Sequence, residues 1–286
     1  MLEALFERIC NAHHTHRPFK VYVTIPLLPG FEGHVAESPA IRRVLYYQFR
    51  TISRGNDSLF SNLLQVGIDP DEYICFFGLR TWQATGVTKA DRRLGRARLV
   101  TEIVYVHSKL LIVDDEACLI GSGNINERSL MGSRDTEFAV IVRPPRKLAT
   151  AATHSAHKPG FTKALRQRIF REHWGTSPEL DAAIIEPWTS EAFNKLRHVA
   201  ANNTATFEKH FQFVPRNSVH TLAELRASSQ ERWASIPYSE AVEAELKTIR
   251  GHVCVLPLVF LANWAELRPS FAEDSSGSIV GDEVFV

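Results

Sequence analysis

The chain has 286 residues, of which 44% are hydrophobic and 23% are charged, and its formal net charge at pH 7 is +1. This is the composition of a globular protein with a buried core. The small net charge gives no electrostatic argument for a nucleic-acid partner, and none is expected. No apolar run reaches the roughly 18 residues of a membrane span, and because the N-terminal stretch carries acidic residues and no long apolar core, we do not expect it to be a signal peptide.

The four cysteines are Cys10, Cys75, Cys118 and Cys254. None forms a C-x-x-C pair or lies near histidines at metal-ligand spacing, so no metal site is predicted. Cys75 and Cys118 lie in apolar runs, which favours buried free thiols. We therefore expect a reducing compartment, with the protein cytoplasmic and at most peripheral on membranes.

The first third of the chain alternates predicted helices and strands. Apolar residues at helical spacing over 2–9 predict a helix that begins at Met1 without a cap. The β-rich run 19–30 is followed by a predicted helix, 39–53, that has proline in its first turn. The continuous apolar run 72–79 is typical of a strand buried on both faces. The segment 85–98 is polar and basic and predicts a loop.

Strands also dominate the next stretch and return near the C-terminal side. The predicted strands are 100–113, 118–122, 138–142 and 252–261, the last with Pro257 inside it and therefore an edge or bulged strand. An amphipathic helix over 161–175 stops at Gly175. The pattern predicts an α/β fold in one domain, 1–286, with a core over 18–176 and a helical or irregular region with a C-terminal strand over 177–286.

The segment 105–126, YVHSKLLIVDDEACLIGSGNIN, carries polar residues within two apolar, strand-like runs. Because side chains alternate along a strand, His107 and Lys109 are predicted to share one face. A two-residue turn at 115–116 would fold the second run back on the first. The segment is thus predicted to form a β-hairpin.

In the register that this turn sets, Lys109 lies opposite Ser122, and His107 lies opposite Asn124. Opposed side chains in such a ladder share a face and are about 5 Å apart. The hairpin would therefore gather four polar groups on an apolar sheet. Asp114 falls on the other face, where its carboxylate would brace the turn or a neighbouring segment.

An imidazole, an ammonium, a hydroxyl and an amide in one cluster are suited to a phosphate group. Lysine supplies positive charge, and the hydroxyl and amide donate hydrogen bonds to phosphoryl oxygens. Histidine attacks phosphorus or transfers protons near neutral pH. Such donors balance developing charge without a metal or cofactor. A single histidine on a strand is more often structural, but Lys109 within an apolar strand weighs against that interpretation.

These residues resemble the signature of the phospholipase D superfamily, H-x-K, four residues, D, six residues, G-S-x-N. The positions that match it are His107, Lys109, Asp114, Gly121, Ser122 and Asn124. The flanking stretches, among them YVTIPLLPG, FFGLRTW and GSGNINERSLMGSRDTEFAVIV, resemble the carboxy-terminal catalytic half of the eukaryotic, phosphatidylcholine-hydrolysing branch. The likeness covers nearly the whole chain.

The resemblance implies one α/β lobe, a mixed sheet flanked by helices, that normally pairs with a similar lobe. It also implies a phospholipid substrate, with phosphatidylcholine converted to phosphatidic acid and choline through a phosphohistidine. His107 would match the histidine that protonates the leaving alcohol and then activates water. Glu137 would match an acidic residue that orients the signature histidine; its alternative is a surface carboxylate at the start of a strand.

The sequence departs from the family pattern in one important respect, because it contains no second H-x-K-x4-D. The family's upstream Glu-Asn-Gln strand and its polybasic phosphoinositide segment have no counterpart either. The lobe is therefore expected to be incomplete on its N-terminal side, and a phosphoinositide activator would lack its usual binding segment. Three interpretations stay open: an enzyme completed by a homodimer or a second catalytic lobe, a catalytically silent lobe that acts in binding, and, less favoured, a single-motif dimeric nuclease.

Overall fold

The computed structural model describes residues 1–86, 88–143, 160–229, 234–263 and 267–268. The predicted first helix, the helix that starts at a proline, and the helix stopped by Gly175 are all present. The α-helices in these ranges are α1 (Leu2–His14), α2 (Pro39–Phe49), α3 (Leu59–Gln65), α4 (Lys89–Arg93), α5 (Glu127–Leu130), α6 (Phe161–Trp174), α7 (Pro178–Ile185), α8 (Ser190–His210), α9 (Leu222–Ser229) and α10 (Glu240–Leu246).

The strands form two sheets, a larger mixed sheet and a smaller antiparallel one. In the larger sheet β1 runs parallel to β2, and the other pairs are antiparallel. Its strands are β1 (Val21–Thr24), β2 (Ile74–Thr85), β3 (Arg98–Val104), β7 (Ser235–Pro237) and β8 (Val253–Val255). The smaller sheet has the order β4 (Lys109–Val113), β5 (Ala117–Gly121) and β6 (Ala139–Val142).

Helices cover both faces of the larger sheet, because alternate residues of β2 point to opposite sides. Cys75 and Phe77 pack with Trp174 and Phe193 beneath α6, α7 and α8. Their neighbours in the strand, including Phe76, pack with residues of α1 and α3. The predicted α/β lobe, a mixed sheet flanked by helices, is confirmed.

The single strand predicted over 100–113 is wrong, because β3 ends at Val104 and β4 begins at Lys109 in the other sheet. The pairing of β2 explains the break. Phe77 pairs with both β1 and β8, and Leu79 pairs with both β3 and β8. A strand has two edges, so β1 and β3 share the edge opposite β8. Since β1 occupies that edge up to Phe77, β3 cannot continue along it.

Two further segments differ from the predictions. The basic segment expected to be a loop contains α4, whose N-cap is Thr88. The late strand β8 stops at Val255, ahead of Pro257, so the proline is not inside it. Proline has no N–H to give to a ladder, and the shorter strand avoids that loss.

The side chain of Arg54, shortly after α2, links this part of the chain to the residues that follow β8. We call its contact with the carbonyl oxygens of Leu258, Phe260 and Leu261 the Arg54 latch. The helix predicted over 39–53 is α-helical only to Phe49 and continues as a π-helical turn, Arg50–Arg54. The Arg54 guanidinium donates hydrogen bonds to the carbonyl oxygens of Leu258, Phe260 and Leu261 at 2.6, 2.5 and 2.9 Å. Burial lowers the pKa of Arg54 to about 10. The three carbonyl dipoles therefore offset part of the desolvation free energy of the half-buried Arg54 guanidinium.

The thiols of Cys75 and Cys118 are buried and free, as predicted, and Cys254 is buried and free as well. Burial raises the pKa of Cys75 to about 11 and that of Cys254 to about 12, so both stay protonated at neutral pH. Among the described helices, none combines the length and the apolar character needed to cross a bilayer.

Candidate functional site

The hairpin of the smaller sheet carries the site, but its register differs from the predicted one. Val113 pairs with Ala117, and Lys109 pairs with Gly121, so the loop has three residues and not two. The prediction that Lys109 lies opposite Ser122 was therefore wrong by one residue. The cause is in the loop, where Asp114 and Asp115 both adopt left-handed backbone angles, φ 52° and 57°. Aspartate tolerates this conformation better than most residues.

Asp115, at the tip of the hairpin, is fixed by a bidentate ion pair with Arg166 of α6. The two hydrogen bonds are 2.6 Å to Oδ1 and 2.8 Å to Oδ2. Arg166 also donates to the carbonyl oxygen of Ile184, at 2.5 Å, near the end of α7. Asp114, which the sequence predicted as the brace, is exposed in the loop. The carboxylate that anchors the hairpin is thus that of Asp115 and not that of Asp114.

His107 lies in the connection between β3 and β4, where the chain passes from one sheet to the other. The residue is exposed, and its ring centroid lies 6.2 Å from that of Tyr105. Its carbonyl oxygen accepts a 2.6 Å hydrogen bond from the Lys109 Nζ atom. Within the described part of the chain, no hydrogen bond reaches the imidazole. The ring is therefore open to solvent and not sealed in an apolar interior.

Ser122 and Glu137 form the second part of the site, just after β5 and just before β6. The Ser122 hydroxyl bonds to Glu137 Oε2, and Ser122 Oγ accepts a 3.0 Å hydrogen bond from the Phe138 amide. Within the described residues, no hydrogen bond joins Glu137 to His107. The carboxylate is thus positioned against a hydroxyl and not against the signature imidazole.

Asn124 lies beyond the end of β5, and its side chain is exposed. Its backbone amide donates a 3.0 Å hydrogen bond to the hydroxyl of Ser129, and the Ser129 amide donates to Asn126 Oδ1, also at 3.0 Å. The predicted cross-strand pair of His107 and Asn124 is not formed, because His107 precedes β4 and Asn124 follows β5. Ser129 organises this loop, and the sequence reasoning missed it. The detectable signal is the three-residue spacing from Asn126, which is typical of a helix N-cap.

The close packing around residue 121 explains why a glycine stands directly before Ser122. It is paired with Lys109 on one side and with Ala139 on the other. A Cβ atom at Gly121 would lie 2.6 Å from the Phe138 carbonyl oxygen and 2.7 Å from Ala139 Cβ. A side chain would therefore push β6 away and break the contact of Ser122 with the Phe138 amide.

Glu137 is the site carboxylate with a shifted pKa. Hydrogen bonds from Ser122, the largest cause, and from Ser129 lower this pKa, and the positive charge of Lys109 contributes in the same direction. Both hydroxyl groups donate to the ionised form and so favour it. The Glu137 carboxylate therefore stays ionised to a lower pH than an ordinary glutamate does.

We predict that Ser122→Ala raises the pKa of Glu137 towards its ordinary value, because the strongest donor is removed. A side-chain carboxyl NMR titration measures this, and Ser129→Ala should give a smaller rise. For a lowered pKa the stabilisation is present above the unfolded-state pKa and is lost as pH falls through the folded-state value. A Glu137 titration that is identical in wild type and Ser122→Ala would contradict this assignment.

Comparison with known families agrees with the signature. The family model described as Phospholipase D matches residues 3–232. Phospholipase D zeta 1 of Arabidopsis thaliana is 35% identical in an alignment 300 positions long, which covers 96% of this chain and 26% of that protein.

Two other relatives show the same relation. Phospholipase D1 of Homo sapiens is 35% identical over 273 residues, covering 94% of this chain and 24% of that protein. Phospholipase D1 of Saccharomyces cerevisiae is 34% identical over 277 residues, covering 96% of this chain and 15% of the relative. The chain thus spans about a quarter or less of the length of these relatives.

Proposed function

Since this chain belongs to the phospholipase D family, we propose that it acts as one half of a phosphodiesterase site for phospholipids. In the proposed reaction, phosphatidylcholine is hydrolysed to phosphatidic acid and choline. The observation that carries the proposal is the exposed imidazole of His107, a residue whose backbone carbonyl oxygen accepts a hydrogen bond from the ammonium group of Lys109. Both groups are accessible to a phosphate that approaches the edge of the smaller sheet.

The proposed chemistry has two steps and uses a second signature histidine as the nucleophile. In the first step that imidazole nitrogen attacks phosphorus, the phosphorus–oxygen bond to choline breaks, and His107 gives its proton to the leaving oxygen. In the second step His107 takes a proton from water, whose oxygen attacks phosphorus and breaks the phosphorus–nitrogen bond. Lys109 and Asn124 would stabilise the charge on the phosphoryl oxygens, with Ser122 holding Glu137 in place, so no cofactor is required by this scheme.

The second H-x-K-x4-D motif would come from another copy of this chain or from a separate lobe. Exposed apolar side chains near the hairpin support a partner: Phe138 is 75% exposed, Met131 61% and Ile141 57%. Clustered apolar exposure of this kind marks surfaces that another protein or a membrane covers. A two-fold axis through this region would place two His107 side chains in one site. We propose a homodimer as the simplest active form, peripheral on the membrane that supplies its lipid.

Phosphatidylcholine vesicles containing ethanol test the proposal. The purified chain should release phosphatidic acid and phosphatidylethanol, because a primary alcohol replaces water in the second step. Light scattering on the same sample should give the mass of a dimer. Adding inactive His107→Ala protein in excess should suppress the activity, since mixed dimers contain one incomplete site.

Other outcomes of this experiment separate the remaining interpretations. Full activity in a strict monomer contradicts the two-copy site. A stable monomer that releases no product from lipid supports a catalytically silent lobe. Cleavage of single-stranded DNA without lipid turnover would identify a nuclease.

A further inference from the structure

A basic cavity lies away from the hairpin, where the end of α1 and the start of β1 meet the start of α8. Its volume is about 520 Å³. Four side chains that carry or acquire positive charge line it, namely those of His13, His16, Arg17 and Lys20. No lining residue belongs to β3, β4, β5, β6 or α5, so the cavity is separate from the proposed catalytic site.

Among the described residues that line this cavity, none has a carboxylate side chain. The Lys20 ammonium donates to the backbone carbonyl of Glu72 at 2.6 Å, and His13 Nδ1 lies 3.0 Å from the Tyr73 hydroxyl. Within the described residues, none of the four basic side chains forms an ion pair. Burial lowers the pKa of Lys20, and the nearby Glu72 only partly offsets this. No contacting carboxylate therefore balances the charges of Arg17 and Lys20 at this cavity within the described residues, which favours the binding of an anion there.

Another part of the cavity lining is the beginning of the longest described helix. Thr189, the N-cap of the 21-residue helix α8, and Ser190, its first residue, both line the cavity. The N-terminus of an α-helix presents free backbone N–H groups and a positive dipole end, which favour a bound anion. Trp188, 39% exposed, also lines the cavity and adds an aromatic surface. Cationic side chains and a helix N-terminus thus line the same space.

We infer that this cavity is a binding site for a phosphate monoester, borne by a lipid headgroup or by a soluble phosphate. A monoester carries close to two negative charges at neutral pH, which matches Arg17 and Lys20 together with the helix dipole. A phosphodiester carries one charge and matches the site less well. Phosphatidic acid presents a phosphate monoester directly at a bilayer surface, and inorganic phosphate is the simplest soluble ligand with similar charge.

Two binding measurements test the inference. Isothermal titration of the chain with inorganic phosphate reports the soluble ligand. Co-sedimentation compares phosphatidylcholine vesicles that contain phosphatidic acid with vesicles that contain phosphatidylglycerol, a phosphodiester. Both use the His107→Ala background, so that turnover does not change the vesicles. The test variant is Arg17→Ala with Lys20→Ala, and the charge-matched control is Arg168→Ala with Arg250→Ala, two exposed residues outside the cavity.

We expect the test variant to bind phosphate at least about tenfold more weakly, a loss of about 1.4 kcal/mol, and the control to bind as the parent does. Preference for phosphatidic acid over phosphatidylglycerol, lost in the test variant, identifies the lipid source. Binding of phosphate without vesicle binding identifies the soluble source. Equal binding by the test variant and the parent, an equal loss in the control, or no phosphate binding by the parent overturns the inference. These outcomes do not depend on whether the hairpin hydrolyses lipid.

Discussion

Replacing Arg166 by alanine is expected to lower the free energy of unfolding by about 3–5 kcal/mol. The side chain of Arg166 is 8% exposed and that of its partner Asp115 is 16% exposed. Alanine at position 166 would leave the largely buried carboxylate of Asp115 without its cationic partner. It would also remove the donor to the Ile184 carbonyl, which lies at the end of α7. The hairpin tip and two helices would lose their common anchor.

Urea denaturation measures this change, and the same helix supplies a matched control. Arg171 of α6 pairs with Asp181, but both side chains are about 40% exposed, so Arg171→Ala should cost less than about 1 kcal/mol. The double variant Arg166→Met with Asp115→Asn should regain part of the loss, because neither charge remains buried and asparagine tolerates the left-handed backbone angle of residue 115. Similar effects from Arg166→Ala and Arg171→Ala would show that the buried pair does not anchor the hairpin.

The largest expected effect on the proposed activity comes from His107→Ala. Removing a residue that transfers a proton in both steps should reduce phosphatidic acid release by about 10³-fold or more. Because the His107 ring is exposed and receives no hydrogen bond within the described residues, the midpoint of urea unfolding should change little. Loss of activity with intact stability separates chemistry from folding.

An exposed histidine on α8, His198, is the matched control for this variant. His198→Ala should retain the full rate of product release and the full stability. Product release by His107→Ala at more than a tenth of the parent rate would refute a proton-transfer role for His107.

The sequence predicted the α/β class, the hairpin and several helix ends because each depends on local chemistry. Proline at the start of α2 and Gly175, with φ 77°, at the end of α6 act within one turn of their own positions. The register of the hairpin was missed for the opposite reason. A loop of two aspartates and a glutamate fits two or three turn residues equally well. The carboxylate that Arg166 binds lies 51 residues away in the chain, and periodicity carries no information about such a contact.

The break between β3 and β4 was also invisible in the sequence. The stretch from Val100 to Val113 is rich in apolar and β-branched residues, contains no glycine or proline, and predicts one strand. The interruption follows from β1, which occupies the edge of β2 that β3 would otherwise use. Only the assembled sheet contains this competition. The interruption nevertheless places His107, the most important residue of the proposed site, where its ring is free.

The Arg54 latch limits the positions at which the chain can be truncated without the loss of a buried contact. The guanidinium and its carbonyl acceptors are separated by more than 200 residues in sequence, so neither end of the described lobe is an independent folding unit. In an expression fragment that ends before Leu258, the Arg54 guanidinium would lose these carbonyl acceptors. It would remain 4.0 Å from the centre of the Phe49 ring, with water as the replacement acceptor. Fragments intended to isolate the catalytic hairpin should therefore retain both the π-helical turn and the residues that follow β8.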